Sequence, residues 1–132
     1  MKIAVIDGKG GGIGRAIVER LKQHSQMEAE IIVLGTNSMA TSNMLKAGVS
    51  NGATGENAIV HMSQRVDYII GPLAIIAANA MMGEVTPRMA EAISSSGAKK
   101  ILLPLSKCGI EVVGGEDCQM KDLLDRMIEH IQ

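Results

Sequence analysis

The chain contains no tryptophan and no phenylalanine, and Tyr68 is its one aromatic residue. Single-stranded nucleic acid is usually held on stacked rings inside a basic groove. With one ring and a formal net charge of -1, nucleic acid is not an expected partner. Long apolar runs are missing too. None approaches the roughly 20 residues that span a bilayer. The N-terminus also lacks the basic flank, apolar stretch and small-residue cleavage site of a signal peptide, so a cytoplasmic location with no membrane partner is expected. Cysteine is scarce: Cys108 and Cys118, ten residues apart, are too few for a disulfide framework and match no close-paired zinc motif.

Aliphatic and thioether side chains take the place of the missing rings. The apolar share is 46%, with ten methionines that adapt to irregular gaps in a core or interface. A length of 132 residues suits a single Rossmann-like domain over residues 1–132, with no room for a second.

Lys2 to Asp7 (KIAVID) is the short apolar run of a buried parallel strand and stops at Asp7-Gly8. Ile13, Ile17 and Leu21 then recur every fourth residue among charged neighbours, which predicts an amphipathic helix. Ile31 to Leu34 is a second strand. It ends at Gly35-Thr36-Asn37-Ser38, where Asn37 or Ser38 can cap a helix that runs to about Ala47 and stops at Gly48.

Asn51 to Gly55 (NGATG) reads as turn chemistry, followed by a short helix from Glu56 to Gln64. Val66 to Ile70 is a third strand closed by Gly71-Pro72, and Thr86-Pro87 caps a helix to about Ser95. Lys100 to Leu105 and Ile110 to Val113 read as two more strands. Four residues between them are too few for a parallel crossover, so an antiparallel hairpin is expected at the sheet edge. Asp117 is the expected cap of a final helix striped by Met120, Leu123, Leu124, Met127, Ile128 and Ile131. The fold class is α/β: a three-layer Rossmann-like sandwich on a mainly parallel sheet with that edge hairpin.

The chemistry concentrates in the loop after the first strand, Gly8-Lys9-Gly10-Gly11-Gly12-Ile13-Gly14. In an open parallel sheet it lies at the carboxyl edge, where ligands bind. Glycines permit positive φ and leave no Cβ between backbone and phosphate, and the free N–H groups of the following helix face an anion. Candidate ligand contacts are therefore Gly8, Lys9, Gly10, Gly11, Gly12, Ile13 and Gly14, joined from neighbouring loops by Thr36, Asn37, Pro72, Ser106, Lys107 and Cys108. The expected guest is a small phosphate-bearing ligand, with Asp7 an adverse charge that Lys9 can offset.

Gly12-Ile13-Gly14-Arg15-Ala16-Ile17 resembles the nucleotide-binding segment of short-chain dehydrogenases over roughly the first 25 residues. The resemblance implies that Gly8, Gly12, Ile13 and Gly14 approach a dinucleotide pyrophosphate, with NAD or NADP as the implied cofactor. That family's catalytic Tyr-x-x-x-Lys is missing, since Tyr68 is followed four residues later by Pro72, so self-sufficient dehydrogenase activity is not expected. Lys9-Gly10-Gly11 resembles the opening of variant P-loops, but Gly14-Arg15-Ala16 stands where their Lys and Ser/Thr would be. Across its length, including Ala78 to Pro87 (ANAMMGEVTP), the chain resembles a family of short bacterial proteins with a Rossmann-like start and no assigned activity.

Other residues carry weaker signals. Cys108 beside Lys107 would be a nucleophile if its thiol were acidified, and a solvated turn is the simpler account. His24, His61 and His130 lie far apart near helix ends, so no metal site is expected. Glu84 and Thr86 could meet a ligand at a helix start, although a capping role explains them as well. Leu73 to Met82 is apolar around nearly its whole circumference, which suggests burial on several sides, by a homodimer interface or by the monomer core. Three functions remain: a ligand-binding module without its own catalysis, a small enzyme acting on a phosphorylated metabolite through Lys107, Cys108 or Asp7, and a homo-oligomeric assembly protein.

Overall fold

The computed structural model describes residues 1–24, 28–105, 108–115 and 118–131. Alternation along the first strand, β1 (Lys2–Asp7), sets the architecture. Ile3 and Val5 pack to one side of the sheet, Ala4 and Ile6 to the other, and all four are fully shielded from solvent. Such a strand is stable only between two helical layers.

The chain supplies those layers in turn: α1 (Gly12–Gln23), β2 (Glu30–Gly35), α2 (Ser38–Leu45), β3 (Asn51–Thr54), α3 (Glu56–Ser63), β4 (Tyr68–Pro72), α4 (Pro87–Ser94), β5 (Lys99–Leu103) and α5 (Met120–Glu129). The strands lie in the order β3-β2-β1-β4-β5 and every pairing is parallel. One face packs Ile17, Val18 and Leu21 of α1, Met44 of α2 and Leu123 and Met127 of α5 against Ile3, Val5, Val33 and Ile70. The other packs Ile59 of α3 and Met89, Ala90 and Ile93 of α4 against Ala4, Ile6, Leu34 and Ile69. Each buried Ile or Leu contributes about 1.5–3 kcal/mol, so these two layers of aliphatic and thioether side chains hold the fold with a single ring, the partly buried Tyr68, packed against one of them.

The expected α/β three-layer sandwich is thus present, while the antiparallel edge hairpin is not. β5 ends at Leu103 because Pro104 has no N–H to continue a ladder, and the Leu105 N–H folds back onto the Leu103 carbonyl at 2.7 Å. Residues 110–113 form no strand. Val112 and Val113 belong to a turn closed by the Gly115 N–H on the Val112 carbonyl, and Gly115 lies against Pro104. Asp117 falls outside the described residues, and α5 begins after Gln119.

The NGATG segment is an edge strand and not a turn. The bare Cα of Gly52 admits the Val33 and Leu45 side chains, and pairing with β2 from Ile32↔Asn51 to Gly35↔Thr54 overrides its poor strand propensity. Gly71 and Pro72 extend β4 instead of closing it. Leu73 to Met82 is a 3₁₀ turn (Leu73–Ile76) followed by tight turns. Ala74, Ile75, Ala80 and Met81 fill the chain's own core, while Met82 is wholly exposed. The caps at Asn37 and Thr86 form as expected, accepting from the Ala40 and Met89 N–H groups.

Candidate functional site

In this strand order the chain leaves β1 toward β2 and later returns to β4 on the other side, so the loops after β1 and β4 diverge at the carboxyl edge. That divergence is the place where open α/β sheets hold ligands. The glycine loop Gly8–Gly11 lies there, running from β1 into α1. Thr36 and Asn37 stand beside it after β2, and Ala77–Thr86, the approach to α4, closes over it.

Sequence reasoning leaves the loop amides free for a guest. Instead, several are satisfied from within. Asp7, at the end of β1, is almost fully buried; its Oδ1 accepts the Gly8 N–H at 2.7 Å and its Oδ2 the Gly14 N–H at 2.7 Å. The Gly11 N–H donates to the Gly8 carbonyl at 2.9 Å. Glu84 reaches in from 75 residues away, and its Oε1 accepts the Lys9 N–H at 2.8 Å. The same oxygen accepts Thr36 Oγ1 at 2.7 Å and Asn37 Nδ2 at 2.8 Å. The loop carbonyls are braced as well, Lys9 by Asn37 Nδ2 and Gly10 by Asn43 Nδ2.

The two carboxylates respond oppositely to these surroundings. Burial pushes the Asp7 carboxyl up, the two amide bonds resist that shift, and the Glu84 charge adds to it. Glu84 moves down, chiefly because the Lys9 N–H and then the Thr36 hydroxyl stabilise its charged form. Glu84 is therefore the firmly ionised member of the pair.

The loop glycines divide into two groups. A Cβ on Gly8 would stand 2.5 Å from Met81 Sδ and 2.6 Å from Thr36 Oγ1. On Gly11, whose φ is +73°, it would meet the Ala40 backbone oxygen at 2.6 Å. On Gly14 it would strike Met44 Sδ and the Asp7 Cβ. These three are glycine because the protein's own atoms occupy the space. Gly10 and Gly12 are exposed, have ordinary φ, and a Cβ on either would meet nothing within 4 Å. The N–H groups of Gly10, Gly12 and Ile13 have no acceptor among the described residues.

Beside the loop, Lys9, Asn37, Met39, Met81, Met82 and Glu84 line a shallow hollow of about 580 Å³. Met39 and Met82 stand largely or wholly in solvent. Pro72 is buried in β4. Ser106 and Lys107 lie outside the described residues, and Cys108 is exposed at a turn with φ +49°. His24 and His130 are the C-caps of α1 and α5, and His61 is in the last turn of α3. The part played by Glu84 had no local signal, because its partners lie on other elements. Asp7 had one: an acid ending a strand directly before a glycine turn is placed to accept that turn's amides.

No curated protein matches the chain in sequence. Among solved structures, a dodecameric FMN-dependent UbiX-like decarboxylase from Escherichia coli O157:H7 shares the fold with a TM-score of 0.52. The alignment covers 97% of this chain and 91% of that one at 15% identity. The cofactor in that description is FMN, which corrects the expectation of NAD or NADP, and the match is not a short-chain dehydrogenase. Geometry agrees with the correction: the amides expected on a pyrophosphate at Gly8 and Gly14 are engaged by Asp7, and Met81 stands before Gly8. The profile described as a domain of unknown function (DUF3842) matches residues 2–132, and the chain belongs to that family.

Proposed function

We propose that this protein binds a phosphate-bearing ligand with a flat ring system, of the flavin mononucleotide class, at the carboxyl edge beside β1. One observation carries the reading: Gly10 and Gly12 lack side chains where the fold leaves room for them, next to amides with no protein acceptor. A glycine that its own protein does not require leaves room for close approach from outside. The methionine-lined hollow suits a planar ring, since thioethers pack favourably on aromatic faces. The fold neighbour's FMN dependence supports the same ligand class. Lys9, Thr36 and Asn37 are the side chains we assign to the rim.

Flavin mononucleotide at a hundredfold excess over its dissociation constant should stabilise the protein by about 2.7 kcal/mol. Gly12→Val should weaken that binding at least tenfold while leaving the unliganded melting temperature at or above wild type. No change in melting temperature or flavin emission at millimolar ligand would remove the reading.

Self-association is a second proposal, because Met82 is fully exposed at the same edge. The expected outcome is a light-scattering mass above 13.9 kDa that Met82→Glu lowers. A wild-type mass of one chain would end it.

A further inference from the structure

The three groups converging on Glu84 Oε1 are all donors: a backbone N–H, a hydroxyl and a side-chain amide, contributed by the loops after β1 and β2. The Lys9 side chain adds positive charge nearby. Three donors around one oxygen describe an anion subsite, and a carboxylate from a third loop fills it. We propose that Glu84 is a built-in stand-in for an external anion. Its carboxylate occupies a phosphate-sized subsite formed by Lys9, Thr36 and Asn37, and it must swing out before a ligand's phosphate or carboxylate group can enter. The proposal rests on the ligand-binding reading above and adds a second anion position, distinct from the amides of Gly10, Gly12 and Ile13.

The segment bearing Glu84 is built for such a movement. Its hydrogen bonds are otherwise internal: Gly83 N–H to the Asn79 carbonyl, Glu84 N–H to Met81, Asn79 N–H to Val85, and Val85 N–H to Ala80. Among the described residues, the three bonds on Glu84 are those joining residues 78–85 to the glycine loop and the loop after β2. Ala80, Met81 and Val85 anchor the base in the core, and Thr86 ties the far end to Glu56 on α3 at 2.7 Å. The tip differs, since Met82 and Gly83 are exposed. Asn79, Met81 and Met82 hold φ of +66°, +57° and +57°, a region that disfavours residues other than glycine. The exposed tip, strained at Met82 and hydrogen-bonded to the glycine loop through Glu84 alone among the described residues, can move while its base, with Met81 packed before Gly8, stays in place.

Hydrogen exchange and titration with inorganic phosphate test this on the protein itself. In Glu84→Ala, the amides of Lys9 and of residues 82–84 should exchange at least tenfold faster than in wild type, with Ala80, Val85 and β1 unchanged. Millimolar phosphate should slow the Lys9 amide again in the variant and leave wild type unaffected. Glu84→Gln, which keeps one acceptor oxygen, should be intermediate in both and covers the case in which the alanine variant does not fold. Equal exchange in wild type and variants, or phosphate failing to protect Lys9 in either variant, or tighter phosphate binding by wild type, would overturn the proposal. Because flavin takes no part, the result stands apart from whether flavin mononucleotide binds.

Discussion

The two loops that flank the sheet's point of divergence both carry left-handed backbone but weight it differently: beside a glycine in each, the loop after β1 places one other residue there, Lys9 at φ +50°, and the loop after β4 places three. After β1, the tight position is a glycine: Gly11 has φ +73° and backbone of α2 directly beside it. After β4, the same region of conformational space holds Asn79, Met81 and Met82, where glycine would be less costly. At Gly11 the first loop therefore gives up a side chain to gain close packing. The second accepts strain of about 1 kcal/mol or more per residue to keep its side chains. Met81 shows what is kept, because its sulfur fills the space before Gly8 that the first loop left empty.

This contrast can be broken most severely at Gly11. Gly11→Ala combines an unfavourable φ with a collision against Ala40, and chemical denaturation should register a loss of about 3 kcal/mol. A variant as stable as wild type would mean that α2 can yield there. Asp7→Asn comes next. Only one side-chain oxygen remains to accept two amides, so the amide nitrogen must face the Gly8 or Gly14 N–H, and a loss of about 2 kcal/mol is expected by the same measurement.

The smallest effect distinguishes the two carboxylates by pH. Glu84 titrates below its ordinary value near 4.5 when folded, so its contribution is complete above that pH and disappears as pH falls through the lower folded value. In Glu84→Gln, acid unfolding should lack that component, with a difference from wild type of about 1 kcal/mol at neutral pH that closes as pH falls through the lowered folded value. Asp7 has the opposite sign. Its raised value makes folding favour the protonated form, so its contribution declines as pH rises from 3.8. Parallel acid limbs for Glu84→Gln and wild type would show that Glu84 is not held as described.

Local pattern made half of this molecule legible. The residues of β1 and α1 announce themselves by apolar spacing, and Asn37, Gly48 and Thr86 act as the punctuation their side chains suggest. Pairing decided the rest. Nothing within Asn51–Thr54 favours a strand until β2 offers its edge, and Ile110–Val113 looks like one until Pro104 removes the ladder it would join. At the candidate site, the position and glycine content of the loop could be read directly. That the Lys9 amide is engaged could not, because Glu84 meets Lys9 only after the sheet has brought them together.

Tyr68 sits in β4 between Ile3 of β1 and Lys99 of β5, and no other ring accompanies it. Near-ultraviolet absorption and intrinsic emission are thus close to silent in this molecule. Any conjugated molecule that co-purifies with the protein will dominate its optical spectrum, and colour alone will report occupancy before a single titration is begun.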